Sequence, residues 1–550
     1  MKREQYLDLM EKIVGAYSPS HIGDYFDRVK REGITEHGFP RLCADLGILI
    51  ANGRKTPADG LFPEMMTFAC EQAPIDRKAG TGNDFSVKEL TFALLEAEKS
   101  EKFPQELTDG WRLSLSGIDP YKTYNCIAPV PPVIVGNWAA FAAASEQVRV
   151  FAGLGNEPDF IEREIASQML AFDENGMYRD PHEPMLYDLV ARLQLSTCLF
   201  FGYRGTNAEK LNALMKSAGL MTLKMQSVTG EIPFGGRSAQ FLFNEAALAS
   251  VLEYEAARYH RLGDETLASR FKAGADRAAN SLAEHLSGDM RHIKNRYPRD
   301  SGFGCEGYGY FDKYMTTAAS FLYPAILFSD DTVEPYAGEE APSILRTSEA
   351  FHKVVMKNAS VCAEYDLRAD LRYDASGLGR LHGKGFPSPL CLTVPFPVRP
   401  NYRIGEDNPC PLSLCPVLPE GTPMCAEEAD WRLVSVREEI PEAVFAVTQG
   451  GRTYRETCRL TDNGAVLTLA GEGTLCRALP LFTFDGEEKT VIREKGETEV
   501  SVTCRGATCT FRTDGKISRS GEIFRNRSGE STLFSARGEG ILTVWISFDK

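Results

Sequence analysis

The sequence predicts an α-helical N-terminal domain followed by a C-terminal antiparallel β-sandwich. Two observations predict it. Up to about residue 360, apolar residues recur at helical spacing in one segment after another. After about residue 430 the period changes to two, and GG, NG, DG and RG turns cut the chain. All helix first and all strand afterwards means two domains, not an interleaved parallel sheet. The division falls near residue 385: 1–385 helical, 386–550 a proline-rich linker and the sandwich.

The helical pattern covers 40–51, 62–72, 87–98, 137–151, 160–172, 184–200, 208–223, 237–260, 265–286 and 312–327. Gly, Pro, Asn and Asp punctuate the connections, as in DENGMYRDPHEP and TGEIPFGG. NWAAFAAASEQVRVF carries small apolar residues on several faces, which predicts a helix buried on more than one side. PSPLCLTVPFPVRP and NPCPLSLCPVLPEGTP are irregular. The strand pattern then runs AVFAVTQ, RTYRETCRLT, AVLTLAG, LPLFTFDG, TEVSVTC, ATCTFRT, STLFSAR and ILTVWISF, a spacing that suggests a sandwich.

A formal net charge of −15 argues against a nucleic-acid binder, which needs a basic surface to displace counterions. It leaves room for an anionic substrate held by a few pocket arginines. MKREQYLDLMEKIVGAY has no apolar signal core, and no run of about 18 apolar residues follows. The fourteen cysteines are scattered, not arranged as a disulfide framework. The expectation is a cytoplasmic chain with reduced thiols and no membrane partner. No GxGxxG after a strand, no P-loop, no HExxH and no CxxC hooks occur, so neither cofactor nor metal is expected. A homo-oligomer is compatible with the sequence.

VGNWAAFAAASE, MLYDLVARLQL, FGGRSAQFLFNEA and GFGCEGYGYFDKY resemble segments of glycoside hydrolase family 154, whose known activity is β-glucuronidase. More loosely, they resemble heparinase-like and glucuronan lyases. The resemblance spans about residues 40 to 400. It implies that the helices close into an (α/α) toroid. It also implies a cleft lined by an Asn-Trp pair and an EGxGY-like segment, and an acidic sugar as substrate.

Several residues could do that chemistry, each with a structural alternative. Asn137 and Trp138 open a helix; Trp can stack on a sugar and Asn can bind a carboxylate, or the pair is a cap and a core side chain. Asp180, His182, Glu183, Tyr187, Asp188 and Arg192 cluster; Asp188 and Arg192 stand four apart and form either an acid/base with its uronate clamp or a helical ion pair. Arg237 follows Gly235-Gly236 and suits bidentate carboxylate binding, sharing a helical face with Phe241, Asn244 and Leu248. Glu245 lies beside that face. Glu306 and Tyr308 sit in a glycine-rich aromatic stretch open to a ligand. Arg380, His382 and Lys384 suggest a flexible basic loop over the site.

The leading expectation is a hydrolase of glucuronic acid linkages, with Glu306 as one catalytic carboxyl and Asp188 or Glu245 as the other. Asn137, Trp138, Arg192, Arg237, Tyr308 and His382 would bind the substrate. The alternative is a polysaccharide lyase that eliminates across a uronate with a Tyr or His acid/base. A carbohydrate-binding scaffold is the non-enzymatic reading.

Overall fold

The computed structural model describes residues 1–75 and 82–550. Among these, fourteen helices precede every strand: α1 (Arg3–Val14), α2 (Pro19–Glu32), α3 (Gly38–Ala51), α4 (Phe62–Gln72), α5 (Val87–Ser100), α6 (Gln105–Ser116), α7 (Pro120–Thr123), α8 (Trp138–Phe151), α9 (Pro158–Gln168), α10 (Met185–Phe200), α11 (Ala208–Met225), α12 (Phe243–Arg261), α13 (Glu265–Ala283) and α14 (Phe311–Phe328). None is long and apolar enough to cross a membrane.

Packing order closes six of them into a ring. α3 packs on α5, α5 on α8, α8 on α10, α10 on α12, α12 on α14, and α14 returns to α3. These inner helices are buried nearly all round: in α12 every residue from Phe243 to Tyr259 is buried, as are Ala139 to Arg149 of α8. The alanines of α8 let its neighbours approach closely. Outer helices bury one stripe, as α13 does through Ala268, Phe271, Ala275, Ala278, Ala279 and Leu282 at i, i+3, i+4 spacing. α9 covers α8, α11 covers α10 and α12, and α1 covers α14. The result is an (α/α) toroid.

Strands begin earlier than the sequence suggests, with β1 (Ser343–Arg346), β2 (Lys353–Lys357), β3 (Val361–Asp366) and β4 (Gly377–Gly383). They form an antiparallel sheet in sequential order, on the N-terminal side of residue 386. β2, β3 and β4 are buried on both faces. Val355 and Cys362 meet Met177, Met185 and Met225 of the helical domain. Val354, Met356, Ala363 and Tyr365 face the second sheet, where the Tyr365 and Phe445 rings stack at 4.2 Å. Two-sided burial removes the polar alternation that marks a half-exposed strand, which is why the period-two pattern fails here.

The second, antiparallel sheet holds β5 (Pro416–Val417), β6 (Asp430–Arg437), β7 (Glu442–Gln449), β8 (Arg452–Thr461), β9 (Gly464–Phe484), β10 (Val491–Glu494), β11 (Glu499–Cys504), β12 (Ala507–Thr513), β13 (Lys516–Asn526) and β14 (Gly529–Asp549). AVLTLAG and LPLFTF are two halves of β9, and STLFSAR and ILTVWISF two halves of β14. The β14–β9 register shifts between Glu539 and Ile541, at left-handed Gly540. A bulge there bends both strands without ending them.

Gly377–Gly383 of the YDASGLGRLHGKGFPSP segment is thus strand β4, not a loop, and His382 within it does not reach the site. Its Nδ1 meets Ser227 Oγ at 3.0 Å and Thr229 Oγ1 at 3.1 Å, and its Nε2 meets Thr393 Oγ1 at 2.8 Å. Burial first, then the Arg380 cation, push its pKa down to about 3 from 6.5. The neutral ring therefore stabilises the fold above pH 6.5, and that contribution drains away as the pH falls toward 3. His382→Gln should flatten the acid limb of stability across that window. Denaturant midpoints measured at several pH values check it.

Candidate active site

All six inner helices start at the same end of the toroid, and their first residues form a closed circuit. The Trp138 ring packs edge-on to Phe85 at 4.5 Å, and Phe85 meets His37 at 5.0 Å. His37 reaches Tyr314 at 6.2 Å, and Tyr314 reaches Tyr308 at 6.0 Å. The Tyr308 hydroxyl lies 2.9 Å from Ser238 Oγ, which lies 3.2 Å from the Tyr187 hydroxyl. The Arg237 guanidinium stacks 4.2 Å over the Tyr187 ring and pairs with Asp180. Asp180 Oδ1 accepts from the Asn137 backbone N–H at 3.0 Å and from Asn137 Nδ2 at 2.9 Å. Asn137 precedes Trp138, which closes the loop.

This mouth carries two physical signatures of function. Seven non-glycine residues have left-handed φ among the described residues, and three of them belong here: His182 (68°), Glu183 (45°) and Ser238 (58°). Such backbone is held only where its surroundings impose it. At Gly236 (φ 78°) a Cβ would stand 2.7 Å from Pro184 Cβ, so glycine is required for the turn that delivers Arg237 and Ser238. The inner helices also direct their amino ends at the mouth, where the macrodipole favours an anion.

Trp138 is 42% exposed and Tyr308 36%, so both present surface to a ligand. Burial raises the Tyr187 pKa, against the pull of Arg237 and Ser238. Burial also raises that of Tyr308, with Tyr187 and Glu306 adding to it. The neutral phenol is the resting form of each. His37 is held well below the usual imidazole range by burial and by Arg41, so it is neutral.

The carboxyls expected to do acid/base work are placed otherwise. Glu306 is buried and ion-paired with Arg527 of the sandwich at 2.6 and 3.1 Å, and it accepts the Ser238 N–H at 2.6 Å. It supports the turn from beneath. Asp188 is clamped by Arg192 at 2.6 and 2.8 Å and accepts the Tyr178 N–H. Arg192 also donates to Thr222 of the outer helix α11, so this i,i+4 pair faces away from the mouth. Glu245 is buried against Lys294, itself bonded to Glu231. Burial raises the Glu245 pKa, but no described contact links Glu245 to the mouth. Asp188, Arg192 and Glu245 are each buried and paired where they stand. Arg237 also sits differently from the expectation: residues 237–242 form the turn before α12, so Arg237 shares no helical face with Leu248.

Asn137, Trp138, Arg237 and Tyr308 do come together at the mouth. Tyr187, Asp180 and Ser238 join them. Tyr187 and Asp180 lay in the recognised cluster, whereas Ser238 carries no mark except its place after Gly235-Gly236. Arg527 had no sequence signal, standing 221 positions from its partner Glu306.

The largest cavity described, about 410 Å³, lies elsewhere. It opens between the 284–296 segment and the sandwich. Its charges are largely spent on each other, as in Lys294 with Glu231 and Arg505 with Asp485. The mouth of the toroid carries the strained backbone and the polar chain, so it is the candidate site.

No protein-family model matches this chain, and no curated protein matches it in sequence. Solved structures do align with it. Heparinase III is 13% identical, with 93% of this chain and 85% of that one covered and a TM-score of 0.38. Chondroitinase AC lyase is 10% identical, with 99% and 83% covered and a TM-score of 0.42. Likenesses this distant transfer no activity. The likeness to glycoside hydrolase family 154 rests on the sequence segments alone.

Proposed function

We propose that the chain is a polysaccharide lyase that cleaves uronate-containing glycans by β-elimination at the toroid mouth. One observation carries this reading: two tyrosine hydroxyls share the Ser238 hydroxyl beside an arginine, while Glu306, Asp188 and Glu245 are all held by buried cations. Two-carboxyl hydrolysis needs carboxyls free to exchange protons across one bond. Elimination needs none. It needs a cationic environment for the uronate carboxylate, a base for the C5 proton and an acid for the leaving oxygen.

The residues fit those roles. The six helix amino ends, with Arg237 shared between Asp180 and the substrate, offset the carboxylate charge, which acidifies C5–H. Trp138 offers a face for a sugar ring. The neutral Tyr187 phenol first loses its proton to solvent, which the Arg237 cation over its ring eases against the effect of burial, and the phenolate then takes the C5 proton. The C5–H electron pair forms the C4=C5 double bond as the C4–O bond breaks. Tyr308, protonated at rest, gives its proton to the departing oxygen. Ser238 then passes the proton from Tyr187 to Tyr308, which restores the Tyr187 phenolate and the Tyr308 phenol for the next turnover.

A polyuronate incubated with the chain should yield an unsaturated product that absorbs in the ultraviolet. A chromogenic β-glucuronide should release no chromophore. Release of chromophore, with only saturated sugar from the polymer, would restore the hydrolase reading.

A further inference from the structure

A second cavity, about 370 Å³, lies on the seam between the helical domain and the first sheet. Its wall includes Arg277 of α13, Lys357 at the end of β2, Lys384 just after β4, and Glu339 and Glu340. Lys357 is 8% exposed. Its Nζ donates to Leu223 O at 3.0 Å and Gln226 O at 3.2 Å, at the C-terminal end of α11. An ammonium has three donors, so one N–H is left over. Arg277 donates to Gln226 Oε1 at 3.1 Å.

Among the described residues, no carboxylate lies within 4 Å of Arg277, Lys357 or Lys384, although this chain pairs most of its buried cations. Glu340 is taken up by Arg270 at 3.3 Å, and Glu339 is exposed. Burial, above all, lowers the Lys357 pKa to about 8, with the Arg277 cation adding to it and Glu340 acting against it. The helix end accounts for two of its donors and leaves the third, with Arg277 and Lys384, facing the cavity.

We infer that this cavity is a binding site for a doubly charged tetrahedral oxyanion, namely inorganic phosphate or a phosphate monoester. Such a group carries about −1.5 to −2 charges near pH 7 and presents three acceptor oxygens. That matches three cations, none of them in a salt bridge among the described residues, supplied by three separate segments. The toroid mouth takes no part, so the inference stands apart from the lyase reading.

The test is calorimetric titration of the full chain with inorganic phosphate, with glucose 1-phosphate, and with glucose as the neutral control. Saturable binding of either phosphate and none of glucose is expected. Binding of both assigns the phosphate group itself, and binding of the ester alone assigns a phosphorylated ligand. The double variant R277Q/K384Q changes residues that are not buried, and it should keep the thermal midpoint while weakening phosphate binding about 30-fold or more. Absence of saturable binding by the unaltered chain, or equal affinity in the double variant, overturns the proposal. So does a Lys357→Met variant that loses thermal stability yet binds phosphate normally, because Lys357 then only caps the helix.

Discussion

Tyr308→Phe should lower turnover of a polyuronate about 10²- to 10⁴-fold, and Tyr187→Phe should do the same. Each change removes one hydroxyl and leaves the ring in place. The Phe85–Trp138 and Arg237 contacts survive, so KM and thermal stability should hold. The two losses should not add, because the hydroxyls act as one chain through Ser238. The double variant should therefore be little worse than either single one. Single-turnover ultraviolet traces check this directly. If both variants keep near-normal elimination rates, the Tyr187–Ser238–Tyr308 chain is not the proton path.

Arg527→Leu should destabilise the protein by about 3–5 kcal/mol, since it leaves the Glu306 carboxylate buried without a cation. Activity should fall as well, because Glu306 anchors the Ser238 N–H and with it the hydroxyl between the tyrosines. Arg527→Leu/Glu306→Leu should recover much of the stability, as two apolar groups replace a buried ion pair. It should not recover the activity, since Ser238 then has no anchor. Denaturant midpoints and ultraviolet rates on the four proteins of the cycle separate the two effects. Full recovery of activity in the double variant would show that Glu306 does not position Ser238.

The inner helices were legible because they are apolar on nearly every face. NWAAFAAASEQVRVF announces that in its alanines. Their closure into a ring was what the family resemblance implied. β8 and β12 were legible residue for residue, RTYRETCRLT and ATCTFRT, because one side of each meets solvent. β2 to β4 were not, because both faces are covered and the pattern loses its period. His382 was placed in a loop for that reason. Glycines beside it suggested flexibility, while in β4 they permit close packing: a Cβ at Gly379 would stand 2.3 Å from the Phe234 ring.

The sequence by itself determined the order of the two folds, the closeness of the inner helices, and the presence of Asn137, Trp138, Arg237 and Tyr308 at segment starts that a toroid collects at one end. The first two follow from periodicity, which is local, and the third from the family resemblance, which implied the toroid and its cleft. The tertiary structure alone decided which charges are spent. Asp188 and Arg192 are bonded to each other and to Tyr178 and Thr222, contacts that no spacing in the sequence announces. Glu306 is paired with Arg527, which comes from the far end of the chain. Whether a carboxyl is free or paired depends on neighbours remote in sequence, and burial makes that pairing obligatory.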